Sequence, residues 1–167
     1  MIIDYKNHTP KISDSAFIAP NATIIGDVEI GENSSVFFGS VVRGDIAPVR
    51  IGNNTNVQDL SVLHQTPGLP LTLEDNVTIG HKVTLHSCTV KQGALVGMDS
   101  IVLDEAVIGE NAFVGAGSLV TGGTVIPPNT LAFGRPAKVV RELTSEDLEE
   151  MRRINETYVG HIPNYKK

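Results

Sequence analysis

The sequence predicts a mainly β protein, a parallel β-helix of hexapeptide repeats that is followed by a C-terminal α-helix. A branched aliphatic residue recurs at every sixth position over most of the chain, and a small residue fills the fifth position of each hexad. Turn motifs of the Gly-Glu-Asn type occur at three places (IGENSS, IGNNTN and IGENAF) and provide residues that tolerate a positive φ at corners. A period of six fits neither an α-helix nor an alternating strand. Six residues per side with a turn at each corner is typical of a parallel β-helix.

The aliphatic column has nineteen positions with three changes of phase, and every one of them is Ile, Val or Leu. Its members are Ile12, Ile18, Ile24, Ile30, Val36, Val42, Ile51, Val57, Leu63, Leu73, Ile79, Leu85, Val90, Val96, Val102, Ile108, Val114, Val120 and Ile126. Seventeen of the nineteen fifth positions are Ala, Ser, Thr or Val, Thr89 among them, and the exceptions Ile46 and Pro67 adjoin insertions. Because three sides make one coil, the sequence predicts about six coils, stacked ~4.8 Å apart.

The amino-acid composition limits which classes of protein this chain can belong to. The chain has 167 residues, which suits one domain with an appendage, and its net charge of −6 argues against non-specific binding to nucleic acid. The single cysteine excludes an intrachain disulfide, and aromatic residues are only 5% of the chain, so small aliphatic side chains must fill a narrow core. We see no signal peptide and no apolar run near the ~20 residues that cross a bilayer. We therefore expect a cytoplasmic protein with no membrane contact.

Two segments follow from the repeat. Residues 1–131 are predicted as the β-helix domain, and residues 132–167 as a connector and a C-terminal helix. Thr144 suits the N-cap of that helix, with Asp147 three residues on and acidic residues in the first turn. One face of the helix carries an apolar stripe, which predicts packing along the β-helix. The stripe consists of Leu148, Met151, Ile154 and Tyr158.

Three histidines fall at related positions of the repeat. His64 and His86 each follow the aliphatic residue of a hexad, and the two hexads are one coil apart. We therefore expect their side chains to stack on one face of the β-helix. His81 is the third residue of its hexad, on a different face that is up to ~20 Å long. The sequence predicts that His81 does not meet the other two within one chain.

Other polar residues fall in the same two places. Arg43 lies in the column of His64 and His86, with Asp45 beside it. Asp59 lies below His81, with Gln58 beside it. A threefold axis would bring one face of each chain against the other face of its neighbour, and such a contact closes into a ring. The interpretation is a homotrimer in which two histidines of one chain and one of the next form a site.

Three neutral imidazoles suit Zn²⁺ in a tetrahedral site whose fourth position stays open, which is the pattern of a catalytic zinc. Fe²⁺ or Co²⁺ fits the same ligands. The alternative is that the histidines are ordinary surface residues on a β-helix ladder. Cys88, close to His86, is a further candidate ligand, although a thiol inside a hexad is more often a small packing residue.

At this point the sequence resembles the γ-class carbonic anhydrases. The motifs that carry the resemblance are VVRGD (41–45), NVQD (56–59), VLH (62–64), IGHKVTLH (79–86) and the tail GRPAKVVREL (134–143). The hexad repeat alone is not specific, because acyltransferases share it, whereas the spaced motifs are. The resemblance implies a left-handed β-helix trimer with a metal at each subunit interface, held by His64, His81 and His86.

The resemblance also implies an activity and further site residues. Arg43 and Asp45 match a pair associated with subunit contact and activity. Gln58 and Asp59 match residues that orient the metal-bound solvent, and Asn56 matches an asparagine that supports them. The implied reaction is that of a zinc lyase, in which metal-bound hydroxide attacks CO₂ and releases bicarbonate.

Two features depart from the archaeal prototype of that family. The loop QTPGLPLT (65–72) holds no acidic residue where the prototype has glutamates that pass the proton out, and Ile46 stands where a glutamate follows the Arg-Gly-Asp motif. Slow turnover is therefore expected. Tyr158 is a candidate to stand near the metal, as a tyrosine does in some bacterial members, with a purely packing role as the alternative.

Two other functions remain open from the sequence. A hexapeptide acyltransferase or an acyl-CoA thioesterase has the same fold, although a transferase typically uses one histidine as general base and not three in matched columns. A non-catalytic trimeric scaffold is the third reading, but it gives no reason for the placement of Gln58 and Asp59. A panel of acyl-CoA substrates tests the acyltransferase and thioesterase functions. A metal-free protein whose trimer stability is unchanged after removal of all three histidines would favour the scaffold.

Overall fold

The computed structural model describes residues 1–166, which form a parallel β-helix with a helix packed along one side. The β-helix has about seven coils. Its strands are β1 (Ile2–Ile3), β2 (Lys11–Ile12), β3 (Phe17–Ile18), β4 (Thr23–Ile30), β5 (Ser35–Val36), β6 (Val41–Ile51), β7 (Asn56–Val57), β8 (Val62–His64), β9 (Leu71–Leu73), β10 (Thr78–Ile79), β11 (Thr84–His86), β12 (Thr89–Val90), β13 (Leu95–Val96), β14 (Ile101–Val102), β15 (Val107–Ile108), β16 (Phe113–Val114), β17 (Leu119–Val120), β18 (Val125–Ile126), β19 (Thr130–Gly134) and β20 (Ala137–Glu142), and the helix is α1 (Ser145–Tyr165).

The predicted aliphatic column forms three inward-facing stacks, one on each side of the β-helix. Parallel pairing aligns successive members one coil apart, as in Leu63 with Leu85 and Leu85 with Val102. A second stack runs from Ile12 to Ile126 through the coils between them. Most of these side chains are fully buried. The period of six in the sequence is therefore the repeat of the core.

The number of coils differs from the prediction. The structure has about seven coils where the nineteen hexads predict six. Strands outside the nineteen hexads extend both ends, because β1 pairs in parallel with β4 at the N-terminal end and β19 pairs in parallel with β16 at the C-terminal end, where Ala132 is in register with Val114. Ala132 is fully buried and so continues the stack with a smaller side chain than the Ile, Val or Leu that defined the pattern.

The column of seventeen small residues is buried at all but two positions, Thr89 and Thr124. Ser34, Ser61 and Ser118 are fully buried at the inner corners, and each donates its hydroxyl to a backbone carbonyl. Thr89 is wrong as the inward residue of its hexad, because it is only half-buried while Cys88 is almost fully buried. The chain is one residue shorter here, and the small residue before Thr89 turns inward.

Asparagines line one corner of the β-helix. Asn33, Asn54, Asn76, Asn111 and Asn129 all have a positive φ, between 51° and 59°. Asparagine is among the few residues with a side chain that tolerate this conformation. The amide of Asn54 also donates to Asn76 in the next coil, at 3.3 Å. The Gly-Glu-Asn motifs therefore mark left-handed corner residues, as the sequence predicts.

A glycine pair lets two coils approach each other beside the strand that carries Arg43 and Asp45. Gly26 of β4 is in register with Gly44 of β6, and its φ is +76°. A Cβ atom at Gly26 would lie 2.5 Å from the carbonyl oxygen of Gly44. The contact is with backbone, which has little freedom to move away.

We therefore expect Gly26→Ala to be more destabilising than an ordinary Gly→Ala change at a positive φ, which costs about 1–2 kcal/mol. Gly117→Ala is the matched control, because its φ is +70° but a Cβ there meets nothing within 4 Å. Urea denaturation of both variants measures the difference. Equal losses of unfolding free energy would show that the close approach at Gly26 carries no cost of its own.

The C-terminal segment packs back onto the β-helix. The predicted connector forms a β-hairpin, since β20 pairs antiparallel with β19. Helix α1 begins as predicted, with a complete capping box between Thr144 and Asp147. Its buried residues are Met151, Asn155 and Ile162, while the other members of the predicted stripe are half-buried. Among the described residues, no helix combines the length and apolar character needed to cross a bilayer.

Candidate metal centre

His64 and His86 stack on one face of the β-helix, as their positions in the repeat predict. They are in register at the ends of the paired strands β8 and β11. Leu63 and Leu85, the residues before them, point into the core, so both imidazoles project outward. Nδ1 of His64 lies 3.2 Å from Nε2 of His86.

Each of these imidazoles is held by a carboxylate on its far side. Nε2 of His64 lies 3.1 Å from Asp45, whose other oxygen accepts a hydrogen bond from Arg43 at 2.5 Å. Nδ1 of His86 contacts Asp104, which also accepts a hydrogen bond from the Thr66 hydroxyl at 2.8 Å. The two histidines are thus fixed from opposite ends by two different carboxylates.

These contacts decide which ring nitrogens carry protons. An ionised carboxylate only accepts hydrogen bonds, so the nitrogen facing it carries the proton in a neutral imidazole. Asp45 therefore leaves the lone pair of His64 on Nδ1, and Asp104 leaves that of His86 on Nε2. These are the two nitrogens that lie 3.2 Å apart. Two lone pairs face each other, an arrangement that favours a cation between them.

The surroundings of His64 favour its neutral imidazole, and the hydrogen bonds to Asp45 and Asp104 favour their ionised carboxylates. Burial and the Arg43 guanidinium lower the pKa of His64. Burial alone would raise the pKa of Asp45, but hydrogen bonds from Arg43 and His64 outweigh it, and the net shift is downward. The hydrogen bonds from His86 and Thr66 lower the pKa of Asp104. Neutral imidazole is the form that binds metals.

His81 lies in a separate cluster with its own carboxylate. Its Nδ1 is 2.8 Å from Asp59, in the coil below, so its Nε2 keeps the lone pair. The hydroxyl of Tyr158 on α1 lies 3.4 Å from that Nε2. Burial, followed by the nearby charge of Asp59, raises the pKa of Tyr158. The structure thus brings Asp59, His81 and Tyr158 together.

A buried network of amides orients Gln58 beside this cluster. Nε2 of Gln58 donates to Asn56 at 3.1 Å, and Asn56 donates to the Thr78 hydroxyl at 3.0 Å. Asn155 of α1 donates to the same hydroxyl at 3.3 Å. The nitrogen of the Gln58 amide is therefore used inside the protein, which leaves its oxygen as the group available to a ligand.

Within residues 1–166, no three metal-ligating side chains of one chain converge. The structure brings His64 and His86 together with Arg43 and Asp45, but places His81 and Asp59 in the turns after β10 and β7 of the other sheet. The prediction that His81 does not meet the other two histidines in one protomer is confirmed. The role of the three as ligands stays a prediction.

The donor set nevertheless fits a tetrahedral metal. Zn–N bonds of about 2.0–2.1 Å place two ligand nitrogens of a tetrahedral site about 3.3 Å apart. The nitrogens of His64 and His86 are 3.2 Å apart. All three imidazoles donate their other N–H to a carboxylate, which is the usual support of a metal-bound histidine.

Sequence reasoning missed four residues that shape the site. Asp104 and Thr66 hold His86, Asn155 holds the Gln58 network, and the Gln65 amide donates to the carbonyl of Arg43 at 2.8 Å. The other amide atom of Gln65, its oxygen, is buried without a partner in residues 1–166. Asp104 lies in the next coil but one position beyond the column of His64 and His86, which continues at Leu103, so counting along that column does not reach it.

Cys88 is a core residue rather than part of the histidine cluster. It is almost fully buried among the aliphatic side chains, and burial raises the pKa of its thiol to about 12. Nucleophilic attack requires the thiolate.

We expect native protein to resist iodoacetamide at pH 8, with rapid labelling of Cys88 only in denaturant. Mass spectrometry of protein treated with and without urea measures this. Labelling of the native protein at the rate of a free thiol would place Cys88 at the surface.

Comparison with known proteins places these observations in a family. The model of the bacterial transferase hexapeptide family, which describes six repeats, matches residues 9–44 and 87–122. A relative named carbonic anhydrase, from Geobacillus kaustophilus, is 60% identical over 99% of this chain and 91% of its own length. Gamma carbonic anhydrase 2 of Arabidopsis thaliana mitochondria is 40% identical over 91% of this chain and 57% of its own.

A solved structure has the same fold throughout. The crystal structure of a Bacillus cereus protein, described as a candidate acetyltransferase, superposes with a TM-score of 0.98. It is 60% identical, and the match covers 99% of this chain and 96% of that one. The relatives of this chain thus carry both carbonic anhydrase and transferase names.

Proposed function

The chain belongs to the γ-class carbonic anhydrase family, and from that membership we propose that it catalyses the reversible hydration of CO₂ to bicarbonate at a zinc site shared between subunits. The zinc ligands in this proposal are His64 and His86 of one protomer and His81 of its neighbour in a homotrimer. Fe²⁺ and Co²⁺ suit the same three nitrogens.

The observation that carries the proposal is the pairing of each imidazole with a carboxylate. Asp45, Asp59 and Asp104 each accept from one ring nitrogen, and the second nitrogen of each ring is left with its lone pair. Histidines that serve only as surface residues do not need to be held in one tautomer. They also do not need two of their lone pairs to face each other. A site for a cation explains all three tautomers.

The separation of His81 from the other two histidines supports sharing between subunits. A catalytic zinc uses three protein ligands, and one protomer supplies two at one place. A heterologous contact between the face of His64 and the face of His81 repeats around a threefold axis and closes. Each of the three interfaces then holds one complete ligand set.

Zinc at this site supplies Lewis-acid chemistry, lowering the pKa of a coordinated water to about 7. The chain's own residues set the rest. Asp45 and Asp59 keep His64 and His81 in the ligand tautomer, and Arg43 balances the charge of Asp45. Gln58 presents its amide oxygen as a hydrogen-bond acceptor, in an orientation that Asn56 and Thr78 maintain.

The proposed site has few groups that could carry the released proton to solvent. The loop of residues 65–72 contains no acidic side chain, and Ile46 is an exposed apolar residue next to Asp45. The proposed enzyme therefore hydrates CO₂ slowly for a carbonic anhydrase. Tyr158 lies close enough to His81 to contact a ligand bound beside it.

The transferase names among the relatives define the competing function. An acyltransferase or thioesterase of this fold needs a histidine free to act as a general base toward a thioester or an acceptor hydroxyl. A carboxylate on one ring nitrogen is also how a general-base histidine is held. What favours a metal site here is that the lone pairs of His64 and His86 face each other at 3.2 Å, which a single general base does not need.

The test combines metal analysis, oligomeric state and two assays on untagged protein. We expect a trimer by analytical ultracentrifugation, about one zinc per chain, and CO₂ hydration in stopped flow that a chelator removes and added zinc restores. A panel of acyl-CoA substrates is run in parallel. Full zinc occupancy with no hydration above the buffer rate, or turnover of an acyl-CoA that survives chelation, overturns the proposal.

A further inference from the structure

The third carboxylate of the site, Asp104, makes contacts that its neighbours on the surface do not. One of its oxygens accepts from Nδ1 of His86, and the other accepts from the Thr66 hydroxyl at 2.8 Å. Both oxygens are therefore engaged in fixed directions. Glu105, the next residue, is exposed and forms no ion pair within residues 1–166.

We propose that Asp104, locked by Thr66, is a positioning residue that presents Nε2 of His86 to the metal, an inference that rests on the proposed metal site. The role of Thr66 gives the loop of residues 65–72 a function in retaining metal.

The tautomer of His86 is the physical link in this proposal. A neutral imidazole carries its proton on either nitrogen with little preference in water, and only one form leaves Nε2 free to bind. Asp104 selects that form, because a carboxylate accepts the N–H of Nδ1 and has no proton to give. With the proton on Nε2 instead, the Nδ1 lone pair would face the Asp104 carboxylate, and the Nε2–H would donate to Nδ1 of His64 and leave no lone pair there for a metal.

Thr66 is itself held in place, so it can hold Asp104. Its backbone N–H donates to the hydroxyl of Ser87 at 2.7 Å, and its carbonyl accepts from the N–H of Leu69 at 3.1 Å. The N–H of Ser87 in turn donates to the carbonyl of His64 at 3.1 Å. The loop is thus tied to both ligand strands, next to the two histidines.

The test measures zinc affinity and tautomer in Asp104→Asn, with Thr66→Val as the second variant and Glu105→Gln as the control. The control removes the same charge one residue along the chain. An asparagine can turn its NH₂ toward Nδ1 of His86 and so favour the wrong tautomer. Zinc affinity is measured by competition with a chromogenic chelator, and the tautomer of metal-free protein by long-range ¹H–¹⁵N NMR of the imidazoles.

We expect Asp104→Asn to weaken zinc binding by about 10–100-fold, the usual cost of losing the supporting partner of a ligand. The NMR spectrum should then show the His86 proton moving to Nε2. Thr66→Val should weaken zinc binding in the same direction by less, and Glu105→Gln should match the parent. If Asp104→Asn does not fold, Thr66→Val decides alone.

The inference is overturned if Asp104→Asn binds zinc within twofold of the parent affinity, or if its His86 proton stays on Nδ1. Where Asp104→Asn does not fold, a Thr66→Val affinity within twofold of the parent overturns it. A parent protein that binds zinc with these dependences but hydrates no CO₂ contradicts the proposed function and leaves the positioning role standing. Active parent protein with unchanged affinity in both variants contradicts the positioning role alone.

Discussion

Replacing His81 with alanine is expected to remove zinc and CO₂ hydration together while leaving the fold intact. His81 is the single ligand that the neighbouring protomer contributes to each proposed zinc site, and its side chain is 38% exposed. Loss of a partner that only supports a ligand already costs about 10–100-fold in metal affinity. Loss of a ligand should therefore cost more than about 100-fold. Zinc content after dialysis against a weak chelator and stopped-flow hydration measure both effects.

The control for this variant is His8→Ala, which removes an exposed imidazole outside the repeat. His8 lies in the N-terminal turn, where its side chain is 57% exposed near Asp27. This variant should keep its zinc and its rate. Full zinc occupancy in His81→Ala, measured beside that control, would show that His81 is not a ligand.

The largest expected effect on stability comes from Leu85→Ala. Leu85 is fully buried in the stack between Leu63 and Val102. Removing a buried leucine side chain costs about 2–5 kcal/mol, with the upper values where the surroundings cannot collapse. Coils held at about 4.8 Å by their ladder hydrogen bonds cannot close the space. We expect a loss in the upper half of that range.

Equilibrium urea unfolding at fixed protein concentration measures the loss in Leu85→Ala. Val125→Ala is the control, since Val125 is 63% exposed and should change the unfolding free energy by less than about 0.5 kcal/mol. A loss below about 1 kcal/mol in Leu85→Ala would mean that the core relaxes around the missing side chain.

Much of the fold was open to prediction because each coil repeats the same physical problem. Each side of a coil places one aliphatic residue in the narrow core and one small residue before the corner. These two repeating positions are enough to predict the β-helix. The register of Leu63 with Leu85 and the stacking of His64 on His86 follow from counting alone. Errors occurred where one residue shifts the phase, as at Cys88 and Thr89.

The parts that escaped prediction depend on contacts between columns. Asp104 reaches His86 from the next coil, and Asn155 reaches the Gln58 network from a helix more than seventy residues away along the chain. Neither contact follows from a period of six, because the period reports which side chains point inward and not which outward side chains meet. The buried asparagine also interrupts the apolar stripe that predicted how α1 packs.

Mixing two inactive variants tests the shared site most directly. His81→Ala lacks one half of the ligand set, and His64→Ala lacks the other. In a ring of three, every mixed trimer has one interface at which His64 and His86 come from the His81→Ala chain and His81 comes from the His64→Ala chain. We predict that co-refolded variants regain zinc and CO₂ hydration, about one site per mixed trimer, although each alone has neither. If the mixture stays as empty and inactive as its components while forming mixed trimers, the ligands are not shared between subunits.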